Sequence, residues 1–324
     1  MTTPTVDDPV AAALAAARAA GTPPRRIRVI WNANAGSKAG LPVNRVDEAQ
    51  LREVMAKHGL GDELVASDSE ETAIEATRDA VGLGYDAVVA AGGDGTVDTV
   101  AFELLEKKTA LGVLPLGSVM NVARSLGIPR DLEGAADIIA AGNVRTIDVG
   151  EASDRQFLEV GSVGLNAAIF ADAQRFDKGD YGSFFGLLRT ILQYRPARMQ
   201  IHLDDRVVRR RALMVVVANG PYGGLGFTFA PDASFEDGQF DVRVYSRFSK
   251  TELLLHMWSI MLGRRAYAPK VHTYRSAHVR IESAHPRPVR VDASDLGTTP
   301  VTFRTRPGVL RVLAPPPGAA PGAG

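Results

Sequence analysis

Three short polar, glycine-rich segments hold the residues best suited to chemistry: Asn32–Gly36, Gly92–Asp98 and Leu116–Arg124. In the middle one, Gly92 and Gly93 carry no side chain that would keep a ligand off the main chain. Thr96 is placed to cap a following helix, whose first amides favour phosphate oxygens. Asp94 is the odd residue, because a carboxylate repels a phosphate. It belongs there if a metal ion bridges the two, or if it takes the proton of an incoming hydroxyl. The plain alternative is a tight strand–helix turn in which Asp94 complements the helix dipole.

The common nucleotide fingerprints are absent. No GxxxxGK[ST] occurs, and Asp98 stands where GxGxxG needs its last glycine. With no Cys, disulfides, thiolate metal sites and cysteine nucleophiles are excluded, which fits a reducing compartment. His58, His202, His256, His272, His278 and His285 show no paired ligand spacing.

Elements that would position these loops alternate through the first half. Arg28–Trp31, Leu64–Ala66, Ala87–Ala91 and Leu111–Leu114 read as short strands. Between and after them, helices are predicted near Val46–His58, Glu70–Val81, Val97–Leu105, Val119–Leu126 and Asp131–Ala141, the last with Asp131 as N-cap and Gly142 as stop. Wholly apolar strands alternating with helices indicate a doubly wound α/β domain, whose ligands bind beyond the carboxyl ends of the strands. All three glycine-rich segments fall at that edge.

The pattern changes at about residue 145. Gln200–Leu203, Ala212–Ala218, Phe240–Tyr245, His278–Glu282, Val289–Val291 and Val301–Thr305 are short, β-branched and bounded by Gly, Pro or Asp. They predict an antiparallel β domain, a sandwich. Helical insertions are predicted near Ser183–Tyr194 and Lys250–Leu262. The expected organisation is a flexible start (1–25), an α/β domain (26–145), a β-sandwich (146–313) and a Pro/Gly tail (314–324).

The 324 residues carry 37 basic and 37 acidic side chains, so no general nucleic-acid affinity is expected. The balance is uneven, however. Residues 1–150 hold 14 basic and 21 acidic groups, and residues 151–324 hold 23 and 16. A basic second half suggests an anionic partner there, or mutual attraction of two domains. Arg209-Arg210-Arg211 reads as a charged strand edge that discourages unwanted pairing, with contact to phosphate or anionic lipid as the sharper reading.

Taken together the motifs resemble the bacterial diacylglycerol kinases and lipid kinases, related to sphingosine kinases and more distantly to NAD kinases. GGDGTVDTV (Gly92–Val100), PLGSVMNVARSLGIP (Pro115–Pro129) and APDASFEDGQFDV (Ala230–Val242), the last preceded by Asn219-Gly220 and Gly223-Gly224, carry the resemblance in order and spacing. It implies an N-terminal nucleotide domain, a C-terminal β-sandwich for the lipid, and transfer of the γ-phosphate of ATP to the hydroxyl of diacylglycerol or a related lipid. It further implies ATP held by Asn32, Ser67 (with Thr72 nearby), Gly92, Gly93, Asp94, Gly95, Thr96, Val97, Asp98 and Ser118. A Mg²⁺ is implied at Asp237, with main-chain carbonyls of Ser234 and Gln239.

The sequence departs from the family twice. Met120-Asn121 stands where relatives have Asn-Asp, and Asp292-Ala293-Ser294 where they have Asp-Gly-Glu, whose Glu is the proposed general base. Ser294 cannot accept a proton at neutral pH unaided. The base then falls to Asp94, Asp292 or Asp295, with Asp94 favoured by its place beside the expected γ-phosphate. An impaired, lipid-binding regulatory homologue and an NAD-kinase-like enzyme are the alternatives. The apolar runs Phe184–Tyr194 and Leu253–Leu262 are shorter than the roughly 20 residues of a spanning helix. The resemblance therefore implies a cytoplasmic protein in peripheral contact with the membrane carrying its lipid, with a homodimer as the assembly considered.

Overall fold

The computed structural model describes residues 24, 26–35, 37–38, 41–42, 46–169, 186, 189–190, 193–224, 226–246, 251–252, 255 and 270–317. Both predicted helical insertions fall largely outside them, as do nearly all of residues 1–25 and the end of the tail. Two units are formed: residues 1–36, 43–147 and 309–324 make the first, and residues 37–42 with 148–308 make the second. The chain therefore returns to the first unit at Val309, whereas the sequence kept everything from 146 to 313 in the sandwich.

In the first unit the strands are β1 (Ile27–Asn32), β2 (Leu64–Ser67), β3 (Ala87–Gly92) and β4 (Ala110–Pro115). They pair in the parallel order β2–β1–β3–β4, and the chain's last strand lies beside β4 with Val312 opposite Leu111. Every residue of β3 and β4 is buried, as helices on both faces require. The helices are α1 (Glu48–His58), α2 (Glu70–Gly82), α3 (Asp94–Glu103), α4 (Asn121–Leu126) and α5 (Leu132–Ala141).

Their ends follow the sequence signals. A capping box of Asp47 and Gln50 opens α1, and left-handed Gly59 closes it. Asp131 caps α5 by accepting from the Gly134 amide at 2.7 Å, and Gly142 stops it at φ 70°. The predicted disordered tail begins too early. Ala314 is buried, and its amide and carbonyl both bond Asn143. Arg145 reaches the Pro315 carbonyl as well. Main-chain pairing of this kind outweighs the Pro/Gly composition for those residues.

The second unit is antiparallel. Its strands are β5 (Val144–Ala152, which starts in the first unit), β6 (Arg155–Phe157), β7 (Val160–Gly164), β8 (Ala197–His202), β9 (Val207–Ala218), β10 (Phe240–Ser246), β11 (Val271–Ser276), β12 (His278–Ser283), β13 (Pro288–Val291), β14 (Ser294–Thr298) and β15 (Val301–Leu313). The order is β14–β13–β7–β9–β8–β12–β15, with β10 also on β9 and β11 on β10. Alternation sets its main core. Met199, Ile201, Val215, Val217, Phe240, Val242, Ile281 and Phe303 all point inward, and Phe157 stacks on Phe240 at 5.7 Å. Strands β5, β6, β7, β11 and β14 escaped the sequence reading because charged or Gly-rich alternation hides their period.

Candidate active site

The carboxyl ends of β1, β2, β3 and β4 place Asn32 beside Ser67 and Gly92 beside Pro115. At that edge lies a cleft of about 360 Å³ lined by Asn32, Ser67, Gly93, Gly95 and Thr96, together with Asp68, Ser69, Glu70 and Thr99. Five of the predicted nucleotide contacts thus converge on one concave surface. Ser118 is exposed in the neighbouring loop, where its carbonyl accepts from the Arg130 guanidinium. The Val97 side chain is buried in the core, and its amide, like that of Thr96, already bonds the Gly93 carbonyl. Asp98 is half-buried in the first turns of α3.

Two roles differ from expectation. The N-cap of α3 is Gly93, with no side-chain cap, so Thr96 does not cap the helix. Its Oγ1 instead receives the Asn32 amide group at 3.2 Å, and Asn32 Oδ1 accepts from the Asn34 amide at 2.9 Å. Gly92 is required by packing. A Cβ there would lie 2.4 Å from Thr96 Oγ1. At Gly93 the nearest atom to a Cβ would be Gly117 Cα at 3.8 Å, so that position does leave the main chain approachable. Gly117 is the true close-approach glycine, since its Cβ would meet Gly93 Cα at 2.8 Å and Met120 Sδ at 2.9 Å.

Asp94 ties two of the loops together. Its Oδ2 accepts from the Met120 amide at 3.0 Å and its Oδ1 from the Asn121 amide at 2.8 Å, so it holds the N-terminus of α4. Met120 sits in the left-handed region at φ 54°, which turns both amides toward the carboxylate. Burial raises the Asp94 pKa, and the two amides with Arg130 only partly oppose that. The sequence missed Arg130, Asp68 and Ser69. Only Ser69 had a signal: it caps α2 by accepting from the Thr72 amide at 3.2 Å, and the Thr72 hydroxyl lies against it at 3.1 Å.

In the second unit the other two candidate bases are both engaged. Asp292 accepts from the amides of Leu158 (2.8 Å), Glu159 (3.1 Å) and Val160 (2.8 Å), while itself holding φ 42°. Asp295 accepts from the Gly297 amide at 2.7 Å and lies 3.7 Å from Arg290. Ser294 opens β14 opposite Val291. Asn219, fully buried, donates to the carbonyls of Asp148 and Leu158, so it locks the same turn that Asp292 grips.

The residues implied for Mg²⁺ lie on the turn before β10. Asp237 Oδ1 accepts from the Gln239 amide at 3.1 Å, and the Ser234 hydroxyl accepts from the Glu236 amide at 3.2 Å. Asp148 bridges the amides of Gly238 (2.6 Å) and Gly308 (2.8 Å). Burial raises the Asp148 pKa first, and the charges of Asp237 and Glu236 raise it further. Asp241 is raised likewise by burial, partly offset by Arg275, which lies 3.7 Å from Asp237. Asp237 and the main-chain oxygens of this turn are donors of the kind a hard cation takes, but Arg275 already lies 3.7 Å from Asp237 and 3.6 Å from Asp241, and the described residues hold no cluster of three ligating side chains.

Known proteins match over both units. Residues 26–152 match the diacylglycerol kinase catalytic domain, and residues 160–314 match the YegS C-terminal NAD kinase beta sandwich-like domain. A diacylglycerol kinase of Staphylococcus saprophyticus is 27% identical over 301 residues, which cover 90% of this chain and 96% of that protein. A Klebsiella pneumoniae protein named "Probable lipid kinase YegS-like" is 27% identical over 279 residues, 83% of this chain and 93% of its own. A Bacillus anthracis diacylglycerol kinase crystal structure shares the fold, with a TM-score of 0.71 at 20% identity over 91% of this chain and 98% of that one. With its catalytic-domain and β-sandwich matches in the order the motifs foretold, the chain belongs to the diacylglycerol kinase and related lipid kinase family.

Proposed function

We propose that this protein transfers the γ-phosphate of ATP to the hydroxyl of diacylglycerol or a related lipid, in the presence of Mg²⁺. One observation carries the reading: Asn32, Ser67, Gly93, Gly95 and Thr96 line a single cleft at the carboxyl edge of a parallel sheet. Gly93 and Gly95 let phosphate oxygens reach the main chain, while the Asn32 amide and the Ser67 hydroxyl supply donors at the cleft wall. Asp94 takes the proton of the lipid hydroxyl. Its raised proton affinity suits that role better than an ordinary carboxylate would. Positioning and charge stabilisation supply much of the acceleration in phosphoryl transfer, so the reaction has little need of a strong base.

Asp237, with main-chain oxygens of Ser234 and Gln239, would hold Mg²⁺, which would add positive charge to that which Arg275 already brings to the turn. The protein would work at the cytoplasmic membrane face as a peripheral protein. Among the described residues, no helix is long and apolar enough to cross a membrane.

The test is incubation with [γ-³²P]ATP and a panel of diacylglycerol, sphingoid base, prenol and NAD, with and without Mg²⁺. Label in a lipid only when Mg²⁺ is present is the expected result. Two features favour a second reading, a lipid-binding homologue without kinase activity: Ser294 replaces the family's glutamate, and Asp292 and Asp295 are both engaged by amides. Lipid binding without label would establish that reading, and labelled NADP⁺ would establish NAD-kinase chemistry.

A further inference from the structure

On the β8–β9–β12 sheet of the second unit, a groove of about 510 Å³ is lined by Arg198, Gln200, Arg209, Arg210, Arg211 and Glu282, among others. Met199, Ile201 and Val208 point from the same strands into the core, so alternation turns Arg198, Gln200, Arg209 and Arg211 to the opposite, exposed face. Arg198 stands directly across from Arg211, and Gln200 directly across from Arg209.

Like charges directly opposed on one sheet face are destabilising. Among the described residues no acid relieves them: none of the guanidiniums of Arg198, Arg209, Arg210 and Arg211 forms an ion pair there. The nearby Glu282 is engaged by Arg280 at 2.7 Å and lies 3.7 Å from His202. At the β8–β9 turn, Asp205 is paired with Arg206, and Asp204 accepts from the amides of Ala277 and His278. Protection of a strand edge accounts for Arg209–Arg211 but not for Arg198. That residue lies on β8, which is paired on both sides by β9 and β12.

We propose that this cationic face docks the protein on a bilayer bearing anionic phospholipid headgroups. Opposed guanidiniums on adjacent strands can share one phosphate through several charge-assisted hydrogen bonds, which converts the repulsion into binding. The choice of a bilayer over other polyanions rests on the lipid-kinase reading above. The groove also lacks the interleaved aromatic side chains that single-stranded nucleic acid stacks on.

The experiment is co-sedimentation of the full chain with vesicles of equal parts phosphatidylglycerol and phosphatidylcholine, at low and high salt. Each arginine is expected to contribute about five-fold to partitioning, so the triple variant R198Q/R209Q/R211Q should bind about 100-fold more weakly. The single variant Arg198→Gln should weaken vesicle binding while leaving the melting temperature unchanged or higher, because it removes an opposed charge; a purely structural arginine would lower it. Arg206→Gln at the turn should bind as the wild type does. Equal binding of the triple variant, equal binding to pure phosphatidylcholine, or tighter binding to a single-stranded RNA oligonucleotide would each overturn the proposal. Phosphorylation of a short-chain, water-dispersed diacylglycerol is measured alongside. Its absence in the wild type would remove the kinase reading while leaving the vesicle result standing.

Discussion

Asp94 and Asp292 are built alike and placed differently. Each is an aspartate whose two oxygens are gripped by consecutive main-chain amides: Met120 and Asn121 for the first, Leu158 to Val160 for the second. Asp292 spans a single turn, carries three amides, and accepts a left-handed backbone to do so. Asp94 does not itself line the cleft but stands between Gly93 and Gly95, which do, in surroundings dry enough to raise its pKa. The same device serves as a structural clamp in one unit and, in the proposed function, as a proton acceptor in the other. What separates them is place, not residue type: Asp94 stands between two glycines that line the cleft, whereas Asp292 closes a turn of the second unit.

The sharpest way to break this comparison is Asp94→Asn. Label transfer to lipid should fall roughly 10³-fold, as expected on losing a general base. A variant within tenfold of the wild type in single-turnover assays would reduce Asp94 to a loop clamp. The pH dependence has a definite sign. Burial raises the folded pKa above that of an ordinary aspartate, so the folded state keeps its proton longer than the unfolded chain. The associated stability is present below that value and is lost as pH rises through the folded pKa. Urea denaturation should therefore show the wild type losing stability relative to Asp94→Asn as pH rises from the ordinary aspartate range through the folded pKa, and the acid limb of the activity profile should lie above that ordinary range.

Next in size, Asp292→Ala strands three amides at the start of β7 and should cost about 3 kcal/mol in urea denaturation. Its activity per folded molecule should change far less than that of Asp94→Asn. A larger loss in activity than in stability would make the two carboxylates functional equals.

Gly92→Ala and Gly93→Ala divide packing from ligand approach. The first must displace Thr96 and should destabilise by about 1–3 kcal/mol. The second, with φ −89° and space for a Cβ, should alter the melting temperature little yet weaken ATP binding measured by calorimetry. Equal affinities for ATP would place the nucleotide away from this turn. Smallest of all, Ser294→Ala should leave label transfer within about twofold, because a hydroxyl is no base at neutral pH. A large loss would bring the β14 segment back into the chemistry.

Much of this architecture could be read from residue order. Apolar runs at Ala87–Ala91 and Leu111–Leu114, the Asp131 cap and the Gly142 stop lie where local pattern put them, because helix ends and buried strands are fixed by neighbours in sequence. The cleft was legible in part. Asn32, Ser67, Gly93, Gly95 and Thr96 belong to motifs whose positions at strand ends follow from strand–helix alternation. Arg130 and Arg198 gave no such sign, unlike the Arg209–Arg211 run, since neither follows a period and each matters only through a residue distant in the chain.

By itself, then, the sequence determined the alternation that builds the parallel sheet, the edge at which its loops gather, and the family motifs those loops carry. These are local properties, set by hydrophobic period and by glycine, proline and cap residues. Only the tertiary structure decided that Gly92 yields to Thr96, that Asp94 and Asp292 are held by amides from other segments, and that arginines meet across β8 and β9. Each of those facts depends on register and burial between distant segments. Cross-strand neighbours and desolvation exist only once the chain has packed.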